Sequence, residues 1–175
     1  MNEPRYAGFG VRLAAVAIDI VVLSPFIIAG AIAETSAESA ASATARLVGA
    51  AVSLVCGVAV MAYYIYFHAL RGQTPGKRKM RIRVVTASAL GAITARQAFA
   101  RSAVDVIVWL IGFASWMTVM NALPLGQEAP ETSNWSLDVI LETSWTMLEI
   151  VVLLANVRSR AVHDFIAGTA VVRTT

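Results

Sequence analysis

Cysteine, histidine and charge are all scarce in this 175-residue chain, and each shortage removes a class of function. Its one cysteine, Cys56, lies in an apolar run without a partner, so neither a disulfide framework nor a multi-cysteine metal site is available. The two histidines, His68 and His163, have no metal-ligand neighbour at i+3 or i+4, and Asp164 beside His163 points elsewhere on a helix. No metal site and no cofactor are expected. No serine or cysteine nucleophile stands in a recognisable motif with a base, so an enzyme is not expected either. Charged residues make up 14% of the chain, against about a quarter in an ordinary soluble domain. Apolar residues take their place: 58% of the chain is hydrophobic and its mean hydropathy is +0.69, the composition of a membrane protein. The length allows one bundle of spanning helices, with residues 1–175 forming a single domain.

Crossing a bilayer takes about 20 mostly apolar helical residues, because hydrocarbon offers no water to backbone polar groups. Stretches at 13–33, 47–69, 102–123 and 136–157 meet this need and predict an all-α, four-helix transmembrane bundle. The fourth is the least apolar, since Asp138, Glu142 and Glu149 interrupt it. Lys and Arg are retained on the cytoplasmic side, and the loop 70–101 carries eight of them with no acid. Arg5 and Arg12 precede the first span and Arg158, Arg160 and Arg173 follow the fourth, which leaves only Arg46 on the other side. The expected topology is multi-pass with both termini cytoplasmic. Tyr63, Tyr64 and Tyr66, just before Arg71, suit the inner headgroup level. The first span with its Ala31-Ile32-Ala33 triplet imitates a signal peptide, but signal cores run only about 7 to 15 residues and rarely hold an acid such as Asp19. A retained span is expected, kinked at Pro25, where a backbone hydrogen bond is missing.

The basic loop holds several local signals. GQTPGK has too few residues between its glycines for a P-loop and places Arg78 where Ser or Thr should meet magnesium, so nucleotide binding is set aside. Thr74-Pro75 reads as a helix N-cap followed by proline at the first helical position. Lys79, Arg81 and Arg83 alternate with Met80, Ile82 and Val84, which predicts a short strand with one basic face. A lone strand leaves its backbone groups unpaired, so Arg81–Val85 and the residues after Gly168 are expected to form a two-stranded ladder in a small cytoplasmic cap. Asp164 would then face the loop arginines or Arg12. Thr94 and Gln97 have capping-box spacing and open a helix that runs through Arg101 into the third span. Lys77, Arg78, Lys79, Arg81 and Arg83 are the expected contacts for anionic lipid headgroups, at about 1 kcal/mol each near the surface. Phe99 is the loop's one aromatic, so nucleic acid is not an expected partner.

Three motifs, YAGFGVRLAAVAIDIVVL, GQTPGKRKMRIRVV and AVHDFIAGTAVVR, taken in order and spacing, resemble the RDD family of small bacterial membrane proteins. That family is named for one arginine at the start of its first span and two aspartates. Arg12 and Asp19 match the arginine and the first aspartate, and Asp164 the second. The resemblance covers almost the whole chain. It departs from the usual pattern in the glycine-poor stretch from Arg83 to Thr94 and in the acids of the fourth span. It implies a place in the bacterial plasma (inner) membrane and points toward transport of ions or small ligands.

Arg12 and Asp19, seven residues apart, share a helical face but stand about 10 Å apart along the axis, too far to pair simply. An ionised carboxylate inside the bilayer needs a partner, water or a proton, and Arg101 is the expected partner of Asp19, so that Arg12 and Arg101 join helices. Asp19 and Glu149 fall about 10 to 12 Å from the cytoplasmic boundary and Asp105 about 6 Å. Carboxylates crowded in low dielectric raise one another's pKa, which makes a proton or monovalent cation the natural occupant of an Asp19, Asp105 and Glu149 site. The same acids with the two arginines also suit an internal salt-bridge network that holds the helices in register. Two functions follow: transport of a monovalent cation, proton or small ligand, in a homo-oligomer because four helices enclose little space, or a non-transporting scaffold that docks a cytoplasmic or membrane partner.

Overall fold

A computed structural model describes residues 5–126 and 137–174. Its elements are α1 (Phe9–Glu38), α2 (Ala43–Arg71), α3 (Pro75–Lys79), β1 (Ile82–Thr86), α4 (Ala95–Ala122), α5 (Leu137–Ala155), α6 (Val162–Ile166) and β2 (Thr169–Arg173). α1, α2 and α4 have 30, 29 and 28 residues and are long and apolar enough to cross a membrane. The chain is a membrane protein. Large apolar side chains such as Val21, Val55 and Leu110 stand exposed along these helices, as lipid-facing surface does. α1 continues as helix through Pro25. Three described helices meet the requirement where four were expected. α5 has 19 residues, and the sequence of that helix includes Asp138, Glu142 and Glu149. The expected loop between the third and fourth spans lies outside the described residues from 127 onward.

The chain forms two compact units. The first comprises residues 1–22, 62–104 and 144–175. Its centre is the ladder that the sequence predicted: β1 and β2 pair antiparallel, with Ile82 opposite Arg173 and Thr86 opposite Thr169. The strand begins at Ile82 rather than Lys79, because Thr74 caps α3, Pro75 opens it and the helix runs to Lys79. Arg81, with φ 53°, then turns the chain into β1. Ile82, Val84 and Val171 face inward with Ala7, Ala15, Ile93 and Ala98 in one apolar cluster. The other edge of β2 is covered by the N-terminal segment: Ala7 N–H donates to Val171 O at 2.9 Å and Arg173 N–H to Arg5 O at 2.8 Å. Gly72 (φ 64°) ends α2, and its carbonyl takes the Val84 N–H at 2.8 Å. A Cβ there would stand 2.6 Å from Val84 O, so the approach requires glycine. Thr94 and Gln97 form the expected reciprocal cap of α4: Gln97 Oε1 accepts the Thr94 N–H at 3.0 Å and Thr94 Oγ1 accepts the Gln97 N–H at 3.2 Å.

The second unit comprises residues 23–61 and 105–143. Small residues let its helices approach closely: a Cβ on Gly49 would lie 2.7 Å from Ala33 O, and one on Gly57 would lie 2.2 Å from the Trp109 ring. Arg46 reaches the C-terminus of α4, donating to Met120 O at 2.5 Å, Leu123 O at 2.9 Å and Pro124 O at 3.2 Å. A cation there satisfies carbonyls that the helix leaves open and complements its dipole. This gives a structural role to Arg46, the one basic residue that the sequence sets apart from the others.

Because β2 is bonded on both edges, its amides at Ala170 and Val172, directed toward β1, should exchange with solvent slowly. Hydrogen exchange by mass spectrometry on the full chain checks this, and exchange as fast as in an unfolded peptide would overturn the ladder.

Candidate functional site

Two aspartates without exposed surface organise the first unit. Asp164 lies in α6, at the third position of a helix whose cap, Ala161, has no side-chain oxygen. Its carboxylate takes over that duty, with Oδ2 accepting the Ala161 N–H at 3.1 Å. The same oxygen accepts from Arg12 Nη1 at 2.7 Å, and Oδ1 accepts from Arg101 Nη1 and, at 3.2 Å, from the Thr169 hydroxyl. Arg12 spends its other donors on Ala7 O (2.9 Å) and Ser159 O. Burial alone would raise the Asp164 pKa, but the Arg101 and Arg12 guanidiniums outweigh it and hold the carboxyl well below the usual range. Arg101 Nη2 also lies 2.7 Å from His163 Nε2. A guanidinium has no acceptor, so Nε2 brings the lone pair and the imidazole proton sits on Nδ1, 2.7 Å from Glu149 Oε2. Glu149 Oε1 accepts the His163 N–H at 2.9 Å. α1, α4, α5 and α6 thus meet in one chain of charge.

Asp19 is satisfied differently. Tyr63 donates to Oδ1 at 2.7 Å, Thr74 Oγ1 to Oδ2 at 2.6 Å and the Gly76 N–H to Oδ1 at 2.8 Å. The Thr-Pro-Gly turn is therefore a cradle for this carboxylate. Gly76 is required because a Cβ would stand 2.1 Å from Ala15 O and 2.8 Å from Asp19 itself. Beside the cradle, Lys77 turns inward, with Nζ 2.8 Å from His68 Nε2, and both side chains are buried. Burial first, then the Arg101 charge, pull the Lys77 ammonium down to about 7.

The second unit is acidic: its sequence holds seven Asp or Glu against one Lys or Arg, Arg46. Here a cavity of about 180 Å³ is lined by Glu34, Glu142, Trp109, Gly112, Phe113 and Trp116. Glu34 Oε1 accepts the Ser53 hydroxyl at 2.6 Å, and Trp116 Nε1 donates to Glu38 at 3.0 Å. Phe113 lies between the two indoles, with ring centroids 6.0 Å from Trp109 and 5.7 Å from Trp116.

Several expectations are corrected. Arg101 pairs with Asp164, not with Asp19, whose hydroxyl and amide donors leave it no need of a cation. Arg12 and Arg101 do join helices, through the acid they share. Asp19 and Glu149 have separate partners in the first unit, and Asp105 is half-buried on α4 in the second, so the three form no single cluster within either unit. Lys77 is buried and unavailable to headgroups, whereas Arg78, Lys79, Arg81 and Arg83 are exposed. Sequence reasoning missed the pairing of Lys77 with His68, nine residues apart, and the cavity at Glu34, whose signal was an acid and tryptophans without a nearby base. The model of the RDD family matches residues 6–168. No curated protein and no solved structure matches the chain.

Replacing Asp164 by Ala leaves two buried guanidiniums without a counter-charge, which should cost about 3 to 5 kcal/mol. Thermal unfolding in detergent measures the loss, and a melting temperature equal to wild type would contradict the network. Lys77 gives a second test. Its folded pKa lies below the ordinary 10.5, so the unfolded state binds the extra proton and stability rises with pH between about 7 and 10.5. The slope should reach up to about 1.4 kcal/mol per pH unit and vanish in Lys77→Met.

Proposed function

The chain belongs to the RDD family, and from that premise we propose that it carries a proton, another monovalent cation or a small cationic ligand across the membrane. The cavity between Glu34 and Glu142 carries this reading. Carboxylates beside apolar and aromatic walls need a proton or a cation, and the one arginine of that unit is taken by backbone carbonyls at the end of α4. The indole and phenyl rings add a surface that attracts cations, at roughly 0.5 to 2 kcal/mol for a well-placed contact. Asp19 and Glu149, the acids that the sequence favoured, are the weaker candidates, because their oxygens are engaged by Tyr63, Thr74, Gly76 and His163. The engagement of Asp19 and Asp164 in holding the fold favours the second reading, a scaffold that transports nothing. Neither reading asks for enzymatic chemistry.

The charge pattern supports a bacterial plasma-membrane protein with four spans, α5 being the fourth, and with both termini and the loop 70–101 cytoplasmic. In a Cys56→Ala background, a cysteine at 42 should react with an impermeant maleimide in intact cells and one at 78 should not; the reverse pattern refutes this orientation.

Flux in proteoliposomes tests the transport reading, with a pH-sensitive dye inside and an imposed sodium, potassium or tetramethylammonium gradient. Wild type should dissipate at least one gradient, and Glu34→Gln or Glu142→Gln should slow it by about tenfold or more. A folded wild-type chain that moves none of these ions leaves only the scaffold.

A further inference from the structure

We infer that the exposed turn between α2 and β1 is a binding site for the phosphate of an anionic phospholipid headgroup. An open cleft of about 1130 Å³ is walled there by Arg71, Arg78, Lys79, Arg81 and Arg83, and no acid lines it. All five cations are exposed, and none joins an ion pair among the described residues. Retention of basic residues on one side of a membrane accounts for their number but not for their convergence on one concave surface.

The walls of the cleft are fixed before any ligand arrives. Gly72 and Val84 are bonded through the backbone, Gln73 Nε2 donates to Ile82 O at 2.9 Å, and Thr74 is held by Asp19. Arg83 Nε donates to Arg71 O at 3.1 Å, which ties the last turn of α2 to β1. Several guanidiniums carried on a fixed backbone frame suit a phosphate, whose oxygens accept paired N–H donors, better than they suit a single carboxylate.

The apolar side of the same cleft selects a lipid over a soluble phosphate. Phe67 and Leu70 complete its wall and stand at the end of α2, one of the three helices able to cross a membrane. Leu70 is 63% exposed and its neighbour Tyr66 59%. An acyl chain lying along α2 would cover these side chains while its headgroup rests among the cations. The inference is independent of the transport reading, since it concerns residues of the other unit.

Native mass spectrometry of the full chain in detergent tests it, with phosphatidylglycerol, phosphatidylcholine and glycerol 3-phosphate as probes. Phosphatidylglycerol should bind and phosphatidylcholine should not. The triple variant Arg78→Gln, Lys79→Gln, Arg81→Gln should weaken binding by about 100-fold, roughly fivefold per side chain. Its melting temperature should match wild type, because these side chains are exposed. The control variant Arg96→Gln, Arg158→Gln, Arg173→Gln removes the same charge elsewhere and should lose less than about tenfold. Equal losses in the two variants would reduce the site to diffuse attraction and overturn it, as would equal binding of the two lipids. Displacement of lipid by glycerol 3-phosphate at an equal concentration would overturn the lipid assignment in favour of a free phosphate.

Discussion

A carboxylate shut away from solvent between two guanidiniums sets the terms for the rest of the first unit. Asp164 holds Arg12 of α1 and Arg101 of α4 at once, and its remaining capacity caps α6 and takes the hydroxyl of Thr169 at the start of β2. A buried ion pair is no guarantee of stability, because desolvation offsets most of the attraction. It does fix geometry, since any arrangement that separates the three groups leaves a naked charge in low dielectric. The ladder, the short helix and the segment from Arg5 to Ala7 all take their places around that constraint.

The other buried aspartate follows a different rule. Asp19 meets no cation within salt-bridge distance among the described residues and relies on one phenol, one hydroxyl and one amide. Neutral donors keep the carboxylate in place without tying up an arginine, and their geometry depends on a glycine that lets α3 touch α1. The chain thus uses its basic side chains where they converge on Asp164 and its turn chemistry where they do not. In the second unit Ser53 serves Glu34 and Trp116 serves Glu38, and the one arginine of its sequence is spent on backbone carbonyls.

Hydropathy made α1, α2 and α4 legible, and alternation of apolar with basic residues made the ladder legible, because both are local periodic signals. The cap spacing of Thr94 and Gln97 was readable for the same reason. Partner choice was not. Arg12 and Asp164 are separated by 152 positions and Arg101 and Asp164 by 63, and nothing local distinguishes that arrangement from one with Arg101 on Asp19. Lys77 looked like one more loop cation because the Thr74-Pro75 signal announces a short helix without saying which of its side chains turns inward. Arg46 looked like an exception to topology until the open carbonyls of α4 supplied its purpose.

The order of residues in the Asp164 cluster has a consequence for biogenesis. A ribosome delivers Arg12 first, then Arg101, and the acid that neutralises both only after every long helix has been made. Until Asp164 is made, the two arginines lack the carboxylate that joins α1 to α4. Arrival of Asp164 removes them from water together. Closure of the polar cap therefore waits for α6, and without Asp164 the two guanidiniums have no shared acid to hold them.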